Sequence, residues 1–237
     1  MDGFSPETNG INLYNESQLH AGIKEWMFEP GDRLEVPLEG YVIDLVRGEE
    51  LIEIQTRNLG KIVPKLFALL PKHPVRVVMP IIVEKTLHYL DPSSGASVLR
   101  RKSPAHQTLW DLFAEWIFSP ELFHQAGFTM QVLEVSVEET RCDNGKGSWR
   151  RKGVQVQQRV LECVHRSHVI RGLSGLAELL PVELPPVFGN ENLVGLLGVS
   201  PNLASKISYT YRKAGVFHTV GKRGRKLLFA ISPASLV

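Results

Sequence analysis

YVIDLV at residues 41–46 and LIEIQT at residues 51–56, joined by Arg47-Gly48-Glu49-Glu50, are the stretches on which the fold of this chain turns. Side chains of an extended strand point alternately to opposite faces, so Glu53 and Gln55 share one face while Ile52 and Ile54 occupy the other. Asp44 likewise shares a face with Val42 and Val46. Ionised carboxylates on otherwise apolar strands are costly to bury unless something compensates them. A divalent cation held by Asp44 and Glu53 would do so.

Working outward, SQLHAGIKEWMFE (17–29) carries Leu19, Ile23 and Met27 at i, i+4 and i+8, the stripe of an amphipathic helix, with Ser17 as its cap and Pro30-Gly31 as its stop. RLEVPLEG (33–40), YVIDLV and ELIEIQT (50–56) form an antiparallel meander, and KLFALL (65–70) is a short helix behind Pro64. Beyond it, VRVVMPIIVEKTLHYLD (75–91) is strand, and DPSSG turns it into the hairpin partner ASVLRRKSP. TLWDLFAEWIF (108–118) is predicted helical; FTMQVLEVSVEE (128–139) and GVQVQQRVLECV (153–164) are strands around a polar loop at 140–152. This order predicts an α/β (α+β) domain with a mixed sheet over residues 1–172. The prolines of PVELPPVF (181–188) mark a connector within a smaller unit, 173–237. There NENLVGLLG is a helix, Ser200 and Pro201 open a second that Gly215 ends, and VFHTV, GKRGRK and LLFAIS make strand, basic turn and strand.

Composition narrows the class without naming a partner. The 237 residues are 43% hydrophobic and 22% charged with a net charge of +2, a globular balance. The positive charge is clustered in LRRK (99–102), WRRK (149–152) and GKRGRK (221–226). Cys142 and Cys163, the only cysteines, are too few for a disulfide framework or a thiolate zinc site. No leader-like segment and no apolar run of membrane-spanning length is present, which predicts a soluble, cytoplasmic protein with no membrane partner. P-loop, dinucleotide, serine-hydrolase and zinc-helix motifs are absent, and His165 and His168 are expected at the surface.

Residues 188–232, helix, turn, helix and basic hairpin, resemble a winged helix-turn-helix. On its second helix Leu203, Ala204, Ile207 and Tyr211 would face the core, leaving Asn202, Ser205, Lys206, Tyr209 and Arg212 for groove and phosphate contacts. Lys222, Arg223, Arg225 and Lys226 at the wing would sit near a phosphate backbone. The bland alternatives are a solvated turn and a protein-docking module.

Residues 16–80, with Asp on the second strand and Glu-x-Gln on the third, resemble the PD-(D/E)xK nuclease superfamily in its E-x-Q variant, and hence a restriction-endonuclease-like core. The whole layout also resembles uncharacterised bacterial proteins built of the same two parts. The nuclease resemblance implies that Asp44, Glu53 and the Ile54 carbonyl bind Mg2+ or Mn2+ and that Gln55, in the place normally held by lysine, orients a water. Lys61 or Lys65 would bring the missing cation. Glu16, on the helix face it shares with His20 and Lys24, and Glu35 could approach the site. Arg100, Arg101, Lys102, Arg150, Arg151 and Lys152 would extend a DNA track. The expectation is a metal-dependent DNA nuclease, with a homodimer suited to two-strand cutting. The alternative is a non-catalytic DNA-binding or regulatory protein on a degenerate nuclease fold; the bland reading of Asp44 itself is a structural ion pair with Arg47 or Lys65.

Overall fold

The structure, a computed structural model, describes residues 17–147, 149 and 152–232; Glu16, Arg150 and Arg151 lie outside them. Helix α1 (Gln18–Met27) starts where Ser17 Oγ accepts the His20 N–H at 3.3 Å. Its Leu19, Ile23 and Met27 are buried as one stripe. Strands β1 (Arg33–Leu38), β2 (Tyr41–Arg47) and β3 (Glu50–Ile54) follow as the expected antiparallel meander. Glu39 and Gly40 both hold positive φ, 49° and 81°, which gives a tight hairpin whose twist matches its strands.

Helix α2 (Val63–Leu69), with Pro64 in its first turn, carries the chain back to β4 (Val75–Leu90). β4 runs parallel to β3, with Ile54 opposite Val78, and parallel to β6 (Phe128–Asp143) along its whole length. β7 (Val154–Arg171) closes the sheet antiparallel to β6, and β5 (Ser97–Lys102) folds back on the second half of β4. The result is a seven-stranded mixed sheet in the order β1-β2-β3-β4-β6-β7, with β5 beside β4. Because β3 leaves β4 at Val78 and β5 joins it only at Thr86, the edge between them has no strand partner among the described residues. A cleft opens along that gap.

Helix α1 packs on one sheet face against Leu45, Ile52, Ile54, Val78, Leu133, Val135 and Val137. Gly22 permits the approach: a Cβ there would stand 3.1 Å from Leu161 Cβ on β7. The other core gathers Val77, Met79, Trp116, Phe123 and Phe128.

Two stretches depart from the periodicity reading. Residues 108–118 form a 3-10 turn (Leu109–Leu112) and a single α-turn, α3 (Phe113–Trp116). Asp111 Oδ2 accepts from Thr108 N–H at 2.8 Å and from its hydroxyl at 3.2 Å, which closes a tight turn, and Pro120 opens a further turn before the helix can lengthen. Strands β6 and β7 run past their expected ends, to Asp143 and Arg171, because they pair continuously with each other. His165 and His168 therefore lie on a strand; His165 is exposed, but His168 Nε2 sits 2.7 Å from Glu134.

The C-terminal unit comprises α4 (Gly172–Ala177), α5 (Asn190–Leu197), α6 (Pro201–Lys213) and the hairpin of β8 (Phe217–Arg223) and β9 (Lys226–Ile231). Ser200 Oγ caps α6 through the Leu203 N–H at 3.2 Å, and Gly215 turns the chain at φ 80°. Phe188 joins the hairpin through paired backbone bonds to Phe229 of 3.0 and 2.8 Å. Tyr211, fully buried, stacks on Phe113 and on Phe217, with centroids 5.2 and 4.7 Å away, and its hydroxyl donates to Leu176 O at 3.0 Å. One apolar core thus runs from the sheet through α3 into α6. Both cysteines are free thiols. Among the described residues no helix is long and apolar enough to cross a membrane.

Candidate active site

The ladder between β2 and β3 ends at Leu45 opposite Ile52, and one further step of the same register sets Asp44 across from Glu53. There the strands part. Asp44 Oδ2 takes the Ile54 N–H at 2.8 Å in place of a backbone partner. Since Gln55 N–H donates to Val78 O of β4 at 2.8 Å, alternation turns the Ile54 backbone the other way, toward Asp44. Helix α1 delivers His20, whose Nε2 lies 3.2 Å from the same Oδ2, and one turn later Lys24, ion-paired with Glu35.

Glu53 is only 5% exposed. Lys65 on α2 reaches it: its Nζ lies 2.5 Å from Oε1 and also donates to Val42 O at 2.5 Å. Lys65 thus sets its positive charge directly against Oε1, which has no other donor among the described residues. Arg47 is engaged elsewhere, with Asp32 and Glu29, and does not pair with Asp44.

These surroundings push the two carboxyl groups apart. For Asp44, burial is the largest influence and raises the pKa. The His20 hydrogen bond and charge, the Ile54 N–H and the Lys24 charge outweigh it and hold the group below its ordinary value. For Glu53, burial and then the Asp44 charge prevail over Lys65, and the pKa is pushed up to about 7. Two adjacent carboxyls with separated pKa values mark a functional site more often than a structural one. A folded-state value above the usual 4.5 means that native Glu53 keeps its proton where the unfolded chain has lost it, so stability falls as pH rises through that window. Thermal melts between pH 5 and 8 should show a downward slope worth at most about 3 kcal/mol that Glu53→Gln removes. Equal slopes in wild type and variant would contradict the assignment.

The remaining sequence candidates fall into three groups. Gln55 and Lys61 line the cleft with Asp44 and Glu53, but the Gln55 amide nitrogen is tied to the Arg57 and Asn58 carbonyls. On β5, Arg100 pairs with Glu138 at 3.0 Å and Lys102 with Glu84 at 3.2 Å, whereas Arg101 and the turn residue Lys152 are exposed. In the C-terminal unit Asn202, Ser205, Tyr209 and Arg212 are exposed and Lys206 partly so; Tyr209, Arg212, Arg225 and Lys226 line a groove of about 630 Å³. Arg223 and Lys226 both meet Glu191, while Lys222 and Arg225 are exposed near the hairpin tip. His20 was not among the residues expected at the site; its i, i+4 spacing from Glu16, which lies outside the described residues, is the sequence signal that could have pointed to it.

Among the described residues no three His, Cys, Asp or Glu side chains converge as a ready-made metal cage. The donors that could hold a cation are the Asp44 and Glu53 carboxylates and the Ile54 carbonyl, all hard oxygens. The cleft they line has a volume of about 1600 Å³, beyond the 300–1,000 Å³ typical of small-molecule pockets.

Comparison with known proteins gives kinship without an activity. An uncharacterized protein of Treponema pallidum (strain Nichols) is 29% identical over 225 residues, spanning 94% of this chain and 88% of that protein, and so takes in most of the C-terminal unit. No solved structure matches. Residues 17–171, from the cap of α1 to the end of β7 and well over half of the chain, match the family described as Domain of unknown function (DUF8091), to which the chain therefore belongs.

Proposed function

We propose that the protein is a divalent-metal-dependent DNA nuclease with a PD-(D/E)xK-type, restriction-endonuclease-like core, and that its C-terminal unit is a winged helix holding the DNA. The observation that carries this reading is the meeting of Asp44, Glu53 and the Ile54 backbone at a large open cleft, with Lys65 on α2 in contact with Glu53. Mg2+ or Mn2+ suits the donor set: the Asp44 and Glu53 carboxylates and the Ile54 carbonyl are hard oxygens, and the Asp44 charge opposes ionisation of Glu53 until a cation approaches. Bound there, the metal would supply an activated water and stabilise charge developing on the scissile phosphate.

The chain's own groups prepare that chemistry. His20 and the Ile54 N–H orient Asp44 and keep it ionised. Glu53, near neutrality, gives up its proton when a positive charge arrives. Lys65 carries the charge that Gln55 lacks, and the Gln55 Oε1 is left as an acceptor able to orient water. Incubation of the purified protein with supercoiled, linear and single-stranded DNA in Mg2+ or Mn2+ should give cleavage that EDTA stops. Intact DNA in every case would overturn the enzymatic reading.

The engagement of the Gln55 amide with its own loop favours a second reading, a non-catalytic DNA-binding protein. Both readings place DNA on the hairpin, where Lys222 and Arg225 are exposed and Arg223 is offset by Glu191. The double variant Lys222→Gln/Arg225→Gln should bind duplex DNA more weakly, with a salt slope lower by about 1.8, since each lost phosphate contact removes about 0.9. Fluorescence anisotropy at several salt concentrations measures it. An unchanged slope would exclude the hairpin from the interface, and DNA affinity indifferent to Mg2+ without cleavage would favour the second reading over the first.

A further inference from the structure

Glu139 on β6 is fully buried, yet cations from three strands surround it. Arg159 Nε donates to its Oε2 and Arg141 Nε to its Oε1, each at 2.7 Å, while Lys85 Nζ lies 3.8 Å from Oε2. Register explains the gathering. Glu139 stands opposite Leu87 on β4 and opposite Arg159 on β7, so Lys85, Leu87 and Tyr89 share its face with Arg141 and Arg159. Arg101, opposite Leu87 on β5, joins the same face; Arg100 and Lys102 fall on the other, where Glu138 and Glu84 meet them. Arg141 is further fixed by the Tyr89 hydroxyl, to which it donates at 3.0 Å.

A structural ion pair needs one cation for one carboxylate. Here two guanidinium groups already exceed the charge of Glu139, and among the described residues no other carboxylate pairs with either. Burial, the largest influence on Glu139, raises its pKa, but the Arg159 and Arg141 hydrogen bonds and the Arg159 and Lys85 charges outweigh it, so the group stays ionised and holds the array together. Lys85 and Arg159 line the same cleft as Asp44 and Glu53, beside Gln155, Gln157 and Gln158. From Val78, opposite Ile54, to Lys85 the strand advances seven residues, about 23 Å at 3.3 Å each.

We propose that Lys85 and Arg159, backed by Glu139 and Arg141 and flanked by Arg101, form a phosphate-binding site at the far end of the cleft, gripping the DNA backbone about seven base pairs from the Asp44–Glu53 pair at 3.4 Å per pair. The inference rests on the DNA reading above and adds a second point of attachment to it. Planar guanidinium groups fixed by a buried carboxylate suit phosphate oxygens better than mobile surface lysines do.

The test uses the full chain, a duplex of about 20 base pairs and anisotropy at several salt concentrations, with melting midpoints as a folding control. Arg159→Gln should weaken binding about five- to tenfold and lower the salt slope by about 0.9, and Arg159→Lys should restore the slope. Hydroxyl-radical footprinting should lose protection about seven base pairs from the cleavage position. Lys85→Gln, whose contact with Glu139 is the longer one, serves if Arg159→Gln does not fold. A folded variant with wild-type affinity and slope, or one changed only in melting midpoint, makes the array structural and overturns the inference while leaving the nuclease reading intact. A wild-type protein that binds no DNA at low salt overturns both.

Discussion

Asp44→Asn is expected to lower metal-dependent DNA cleavage by about 10²- to 10³-fold while the protein stays folded, since loss of one preorganised charge-stabilising group costs on that order. Asparagine is close in shape, and its oxygen can still accept the Ile54 N–H that Asp44 takes at 2.8 Å, so the parted ends of β2 and β3 stay where they are. What disappears is the negative charge. The same substitution removes one of the two influences that raise Glu53, so the pH-dependent stability slope should shift toward lower pH in the variant. Cleavage kinetics with Mg2+ and thermal melts across pH measure the two effects on one preparation. Cleavage retained within tenfold would separate Asp44 from the chemistry; an unmoved slope would deny the electrostatic coupling of the pair.

Tyr211→Ala is expected to cost about 3–5 kcal/mol, the range for deleting a large buried aromatic side chain. The ring lies between Phe113 and Phe217, and the surrounding strands and helices cannot close fully over the void. At about 2–4 °C per kcal/mol for a chain of this size, the melting midpoint should fall by roughly 10 °C. Tyr211→Phe keeps the stack and loses only the bond to Leu176 O, which should cost about 1 kcal/mol. Because one core joins the sheet to α6, a single transition should move in both variants. Melting of the C-terminal hairpin ahead of an undisturbed sheet would show that the two parts are held together less firmly than the buried stack implies.

Local signals in the chain were reliable where the structure obeys local rules. The α1 stripe, the Ser17 and Ser200 caps, the Glu39-Gly40 turn and the meander carrying Asp44 and Glu53 are set by neighbours within a few residues, and periodicity and capping chemistry revealed them. Lys65 was one of two downstream lysines considered, and only the packing of α2 distinguishes it from Lys61, which is exposed. The parallel pairing of β4 with β6 joins residues some fifty positions apart, and alternation within one strand says nothing about its partner. That pairing gathers the Glu139 array, and alternation along β5 puts Arg101 on one face and Arg100 and Lys102 on the other. A basic cluster in sequence is therefore not one surface in space. His20 is visible in the sequence as part of a helix face, but its place beside Asp44 emerges only from the 3.2 Å distance between them.

The gap between β3 and β5 leaves a stretch of strand edge beside the cleft, and an open edge is a template on which another chain can add a strand. Most of the groups along it are nevertheless engaged or missing. Val78 O takes the Gln55 N–H, Pro80 has no N–H to offer, and Gln107 meets Ile82 twice, its side-chain oxygen on the N–H and its own N–H on the carbonyl, both at 2.8 Å. Ser103 N–H then closes on Lys85 O at 2.8 Å. Gln107 occupies the edge as a strand residue would without bringing a strand. The cleft can thus stay open to a ligand while its edge resists the addition of a foreign strand, a protection that rests on Pro80, Gln107 and Ser103.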